Sequence, residues 1–368
     1  MLWESFMKIA FITDYNKFTW IWAQNYNLFS WLKKQWIDID IINLVSPQWF
    51  KEVPNYWINI ISNIYNNKYL SFWYWVFYKF EKELKKILKK WKYTHVILWH
   101  QWLAYLWKSL QKKIKSTIII HDLFTLYWDK NGIDEFIYNH FLLKGINKIK
   151  NFVFISEFTK NDYERFYGCL DNNNYKIIYQ WIDKQKVDAK LKESLIKKYN
   201  LEDKKVILNI WSENPRKNIK TYLKVANHFK NKKDLLFVRI WKPLPESQDY
   251  INEHKLKNVL YCSWVSDEEL ITRYDIAKII LSTSTLEWYG RQIFEWYLYD
   301  NYIVTSNVSD VRKIFKWDVY TNIIENPFDV AQFSNHIENI LDNWTSNNKD
   351  RIHIQSTKDE VLEYANLF

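Results

Sequence analysis

Uninterrupted apolar runs alternate along the chain with stretches whose apolar residues recur at helical spacing. KIAFIT (8–13), IDIDIINLV (37–45), THVILWH (94–100), STIIIHDL (116–123), NFVFISEF (151–158) and NYKIIYQWID (174–183) read as strands. AQNYNLFSWLKKQ (23–35), FYKFEKELKKILKK (77–90), LAYLWKSLQKKI (103–114) and TKNDYERFY (159–167) read as the helices between them. Strands that are apolar throughout are buried on both faces, the pattern of a parallel sheet covered by helices. The alternation then begins again. Strands KKVILNIW (204–211), LLFVRIW (235–241), NVLYCSW (258–264), KIILSTS (278–284) and YIVTSNV (302–308) alternate with helices at 190–200, 218–229, 266–277, 291–300 and 329–342. Ser266 followed three residues later by Glu269 is a capping box at one helix start. The pattern predicts two doubly wound α/β domains joined near residues 184–190.

Composition changes this picture in one respect. The chain of 368 residues has 4 glycines and 22 tryptophans, together about 7%, the usual share of glycine alone. The tryptophans also fall where glycine is wanted. Trp36 and Trp91 stand where a helix stops before a strand, the C′ position that favours glycine. Trp181 and Trp344 are at turns, and Trp20 and Trp22 lie in a strand-to-helix loop. Tryptophan tolerates positive φ badly and adds bulk where backbones approach. We expect a gene in which UGA encodes glycine, read with a table in which it encodes tryptophan. Gly132, Gly145, Gly168 and Gly290 then come from ordinary glycine codons, and Trp128 is left as a genuine tryptophan. The alternative is a truly tryptophan-rich protein that stacks sugars on its rings.

The formal charge is +10, much of it on lysine-rich helices such as FEKELKKILKKWKY (80–93). A solvated helix face accounts for it, and contact with an anionic membrane surface is the sharper reading, ahead of nucleic acid. The opening MLWESFMKIAFITDY shows no signal peptide, and Met7, directly before a buried strand, reads as the natural start. No run approaches the length of a membrane helix. Cys169 and Cys262 have no metal-ligand spacing and fit a reducing cytosol.

Three places can carry chemistry. In IWSENPRKNIK (210–220), Arg216 and Lys217 sit between a strand end and a helix start, where an anion such as phosphate binds well. In STLEWYGRQIFEWY (284–297), Glu287 lies in the loop and Glu295 about one turn into the next helix, a pair suited to hydroxyl-rich ligands. In IIIHDLF (118–124), His121 and Asp122 end an apolar strand, and His100 ends another. The plain alternatives are surface cations, helix-start carboxylates and structural histidines.

With glycines restored, the chain resembles the retaining glycosyltransferases of family 4, the "glycosyl transferases group 1", along nearly its whole length. The resemblance rests on the order and spacing of FTWIWAQNYNLFSWL, IIIHDL, FISEFTKNDYERFYG, KIIYQWID, WSENPRKNI, WVSDEELITRYDIA and STLEWYGRQIFEWY. It implies the GT-B fold, two Rossmann-like domains facing a cleft: an acceptor-side domain (1–187), a nucleotide-sugar domain (188–345), and a C-terminal segment (346–368) returning to the first. It implies transfer of a hexose from a UDP- or GDP-sugar, with no metal and no other cofactor, to a glycan or lipid-linked acceptor, in the cytoplasm or at the inner membrane face. By the family's pattern Arg216 and Lys217 hold the diphosphate, Glu287 the sugar hydroxyls and Glu295 the ribose. His121 reaches the sugar, Tyr289, Gly290 and Arg291 offer backbone amides to phosphate, and Trp22 and Trp288 stand at glycine positions near the nucleotide. Ser212 departs from the pattern where many members carry an arginine, and Asn301 where glycine is usual. Tryptophan at 20, 22, 211 and 288 would obstruct the cleft. The alternatives are a basic, aromatic-rich membrane or nucleic-acid binder and a sugar-nucleotide epimerase of the same fold.

Overall fold

The structure is a computed structural model that describes residues 8–14, 32, 38–45, 58–61, 70–110, 114–127, 143–180, 182–210, 212–343 and 363–364. Most of the helix expected at 23–35, and Trp20, Trp22, Trp36, Trp128, Trp181, Trp211 and Trp344, lie outside these residues. The chain divides into two compact units between Gln180 and Trp181, and Glu363 and Tyr364 group with the first.

The first unit is a parallel sheet of order β3-β2-β1-β4-β5-β6-β7. Its strands are β1 (Lys8–Asp14), β2 (Asp38–Val45), β3 (Ile58–Ile61), β4 (His95–Leu98), β5 (Lys115–Ile120), β6 (Asn151–Phe154) and β7 (Tyr175–Ile177). Register pairs Ile12 with Leu98 and Ile118 with Phe152, so apolar side chains stack across the sheet. Helix α1 (Leu70–Trp91) lays Phe80, Leu84 and Leu88 on this core at a spacing of one turn. Helix α2 (Glu157–Tyr167) starts where Ser156 accepts a hydrogen bond from the Thr159 amide, so β6 stops at Phe154 instead of running to residue 158.

The second unit has the parallel order β10-β9-β8-β11-β12-β13. Its strands are β8 (Lys205–Ile210), β9 (Leu235–Ile240), β10 (Val259–Cys262), β11 (Ile279–Ser282), β12 (Tyr302–Ser306) and β13 (Thr321–Ile324). Around them lie α3 (Ala189–Tyr199), α4 (Ile219–His228), α5 (Pro245–His254), α6 (Asp267–Ile276), α7 (Arg291–Tyr297), α8 (Val311–Ile314) and α9 (Val330–Asp342). Tyr222, Val225 and Ala226 of α4 and Phe333 and Ile337 of α9 pack on Ile207, Phe237, Ile279 and Val304. The strand order reverses at β8/β11, and open α/β sheets bind ligands beyond the carboxyl ends of the strands at such a point.

Several expectations needed correction. The stretch expected as a helix at 103–114 is a 3-10 segment, Gln101–Lys108, with Gln101 and Leu103 through Leu106 all buried. β3, α5, α8 and β13 were not anticipated, being short or, like α5, almost without apolar periodicity. Trp91 is not at C′: it ends α1, and Lys92 takes the left-handed conformation at φ 52°.

Candidate active site

In the second unit the β8 and β11 loops are tied together. After β8, Asn214 accepts a hydrogen bond from the Arg216 amide, and Pro215–Lys217 forms a single 3-10 turn. The Thr285 amide donates to the Arg216 carbonyl at 2.7 Å, and the Thr283 hydroxyl to the Lys217 and Asn218 carbonyls. The turn that carries both cations is therefore clamped to the loop that carries Glu287.

Glu287 is the centre of the cluster. Its Oε1 accepts from Lys217 Nζ at 2.5 Å, Ser284 Oγ at 2.9 Å and Gln292 Nε2 at 3.2 Å, and its Oε2 from Arg216 Nη1 at 2.6 Å. Arg216 also donates to the Leu286 carbonyl. Burial pushes the Glu287 carboxyl up, but the neighbouring cations and their hydrogen bonds prevail and bring it down to about 2. Burial pushes the Lys217 ammonium below its ordinary value. Glu287 opposes that shift, while Arg216 and Arg239 add to it by repulsion.

The remaining expected residues follow on α7. Gly290 has φ 75°, a conformation open to glycine, while a Cβ there would find ordinary room, so backbone rather than space selects it. Position 288 is not among the positive-φ residues, so its backbone does not itself demand glycine. Trp288 is buried, its ring lying 5.8 Å from the Arg216 guanidinium. Tyr289 is buried with its ring stacked on Phe294, so only its backbone is left for a ligand. Glu295 is held by Arg291 Nε at 2.8 Å and by the Tyr274 hydroxyl at 3.2 Å.

Sequence reasoning missed Ser284, Gln292 and Tyr274, which are neutral residues without a motif of their own. It also missed Arg239. This arginine sits fully buried on β9, beside Asn209 in register. It donates to the Asn209 side chain and to the Ser212 carbonyl, with Glu213 at 3.6 Å. A buried cation from the adjacent strand thus steadies the turn at the position where Ser212 lacks a guanidinium. Asn301, the other departure, donates to the Tyr274 carbonyl and is buried. A groove of about 520 Å³ between α4 and α5 touches the same turn through Glu213, Asn214 and Asn218, but Arg216, Lys217 and Glu287 do not line it.

In the first unit His121 is 2% exposed at the end of β5. Its Nε2 donates to the Trp99 carbonyl at 2.9 Å and its Nδ1 accepts from Gln180 Nε2 at 2.9 Å, a pairing that fixes the neutral tautomer. Burial, then repulsion from His100, lowers its pKa to about 3. The Gln101 side chain accepts from the His121 amide and donates to Asp122. Both ring nitrogens are thus engaged by protein groups. Trp22 lies outside the described residues. Among the described residues no three His, Cys, Asp or Glu side chains converge as a metal-holding group.

Two parallel Rossmann-like units, with a cation and carboxylate cluster at the second unit's switch point, define the GT-B class. Family comparison agrees. Residues 24–186 match the glycosyltransferase family 4 model and residues 192–359 the glycosyl transferases group 1 model. The chain belongs to these glycosyltransferases. Similar solved structures include sucrose-phosphate synthase from Thermosynechococcus elongatus (15% identity, TM-score 0.73, 98% of each chain covered). A glycosyltransferase from Rickettsia africae aligns at 17% identity and TM-score 0.67, over 98% of this chain and 93% of that one. HepE of Anabaena, solved in complex with UDP and glucose, aligns at 11% identity and TM-score 0.72, over 98% and 99%. No curated protein sequence matches the chain.

Proposed function

We propose that this glycosyltransferase moves a hexose from a UDP- or GDP-sugar to a hydroxyl of a glycan or lipid-linked acceptor, with retained anomeric configuration. The observation that carries the reading is the Glu287 cluster: two cations on one turn and a buried carboxylate on the next, at the β8/β11 switch point. In the reaction the bond from the sugar's anomeric carbon to the diphosphate oxygen breaks, and the acceptor oxygen bonds to that carbon. The electron pair goes to the diphosphate, which departs from the face the acceptor attacks, and its freed oxygen takes the acceptor proton. Arg216 and Lys217 meet the growing negative charge, the task of preorganised donors, and need no metal to do so. Glu287 accepts from sugar hydroxyls and Glu295 from the ribose, as the family pattern implies. HepE's complex with UDP and glucose supports a nucleotide-sugar donor.

The proposed place of work is the cytoplasm, at the anionic inner face of the membrane. No helix among the described residues is long and apolar enough to cross a membrane. The apolar side of α1 is turned to the core, leaving Lys82, Lys85, Lys86, Lys89 and Lys90 outward. Membrane attraction through this face is therefore electrostatic and should weaken with salt. A panel of sugar nucleotides titrated calorimetrically tests the donor. Saturable binding of a UDP- or GDP-sugar is expected, and no binding across the panel would refute the reading. Release of an epimer without transfer would favour the epimerase alternative.

We infer further that most tryptophans are glycine in the native polypeptide. Trp264 supports this, being 95% exposed with φ 59°, a conformation costly for a bulky residue. Trp99 supports it from the opposite side. It is fully buried, and its indole N–H finds no acceptor among the described residues, which costs about 1–3 kcal/mol. The test is the mass of the peptide from Glu287 to Arg291 in protein made by the native cell. Glycine mass at position 288 is expected, and tryptophan mass would refute the inference.

A further inference from the structure

Oε1 of Glu287 has no acceptor capacity left over. Oε1 takes three donors, from Lys217, Ser284 and Gln292, against about two lone-pair sites on one carboxylate oxygen, while Oε2 takes Arg216 alone among the described residues. Two of these donors, Lys217 and Arg216, are the cations assigned to the donor diphosphate. The same carboxylate is assigned to the sugar hydroxyls. These assignments compete: the diphosphate and the buried Glu287 want the same two cations, and while Lys217 is held Oε1 has no room for a sugar hydroxyl.

We propose that Glu287 is an exchangeable counter-anion, displaced from Arg216 and Lys217 by the donor diphosphate and thereby released to accept the sugar hydroxyls. The proposal rests on the nucleotide-sugar reading for its second half only. The exchange itself is a matter of charge. A diphosphate carries more negative charge than one carboxylate and has more acceptor oxygens, so both cations gain by the change of partner. Ser284 and Gln292 are neutral and have no reason to follow the phosphates. They stay on Oε1 and keep the freed carboxylate aimed. Each residue has its separate part: the cations switch, Glu287 is released, and Ser284 and Gln292 are positioning residues. Phosphate recognition is thereby coupled to sugar recognition, because the hydroxyl acceptor becomes available when the diphosphate arrives.

The proposal makes an unusual demand: removing the carboxylate's charge should tighten binding of a bare diphosphate. Inorganic pyrophosphate is the probe, since it tests the exchange whether or not the protein takes a nucleotide. Full-length wild type and Glu287→Gln are titrated with it at pH 6 and pH 9. About tenfold tighter binding by the variant is expected at pH 6. Without Glu287 the buried Lys217 loses the group that helps hold its proton, so its pKa falls further. The gain should therefore be present at pH 6 and shrink toward pH 9. Should Glu287→Gln fail to fold, Glu287→Asp replaces it. The shorter carboxylate cannot reach both cations as well, and an intermediate gain is expected. Equal or weaker pyrophosphate binding by the folded variant at pH 6 would overturn the exchange and make Glu287 a fixed support for the two cations. Tighter pyrophosphate binding with no nucleotide-sugar binding by wild type would uphold the exchange and refute the donor reading.

Discussion

The polar centres of the two units are built on opposite electrostatic terms. Around Glu287 burial is offset by formal charges of both signs held within 2.6 Å. Around His121 burial has removed charge, and neutral hydrogen bonds to Gln180, Trp99 and Gln101 remain. The difference follows from the sequence. The β8 and β11 loops carry Arg, Lys and Glu side by side, whereas the β5 end has no cation adjacent to it. Buried charge is tolerated when it is paired, and a lone buried imidazole neutralises instead. The second unit thus holds two cations on one buried carboxylate. The first surrounds a neutral imidazole with amide and carbonyl partners, the Asp122 carboxylate lying beside it.

Acid should break the two centres in order. His121 has a folded pKa of about 3, below the unfolded value of about 6.5. The unfolded chain binds the proton first, so this stabilisation is full above pH 6.5 and is lost as pH falls toward 3. The Glu287 contribution is full above about pH 4.5 and is lost as pH falls toward 2. Denaturant melts between pH 7 and 4 should therefore show a loss of about 3 kcal/mol that His121→Leu lacks. A variant with the wild-type slope would remove His121 from this role.

Next in size is the loss of a cation. Lys217→Gln should lower kcat/KM about a hundredfold, with the larger part in kcat if the cation serves the departing diphosphate. A change confined to KM would limit Lys217 to ground-state binding. The smallest effect concerns α6, where the Ser266 hydroxyl accepts from the Glu269 amide at 3.1 Å. Ser266→Ala should cost about 1 kcal/mol of stability and leave donor affinity unchanged, separating the scaffold from the site.

Much of this was legible in the residues. Strands such as KIAFIT and KIILSTS announced two parallel sheets, because burial on both faces leaves an unbroken apolar run. Arg216, Lys217 and Glu287 were identifiable through the spacing shared with the family 4 pattern, since taken singly they read as surface cations and a helix-start carboxylate. Ser284 and Gln292 were not, since a neutral side chain acquires its role only from what the fold brings to it. Arg239 was hidden inside LLFVRIW, where a strand reading absorbs a single arginine without comment. Strand β3 and helix α5 escaped because short or mostly polar elements leave no periodicity to read. Position 288 shows the reverse case: the sequence pattern asked for glycine, while the positive φ belongs to Gly290.

The most direct test of the account is hexose transfer by wild type and Glu287→Ala, from whichever nucleotide sugar binds to an accepting glycan or lipid-linked glycan. The account predicts product from wild type, with the donor's anomeric configuration retained, and none above background from the variant. Full transfer by Glu287→Ala would contradict the assignment of the sugar site to this cluster.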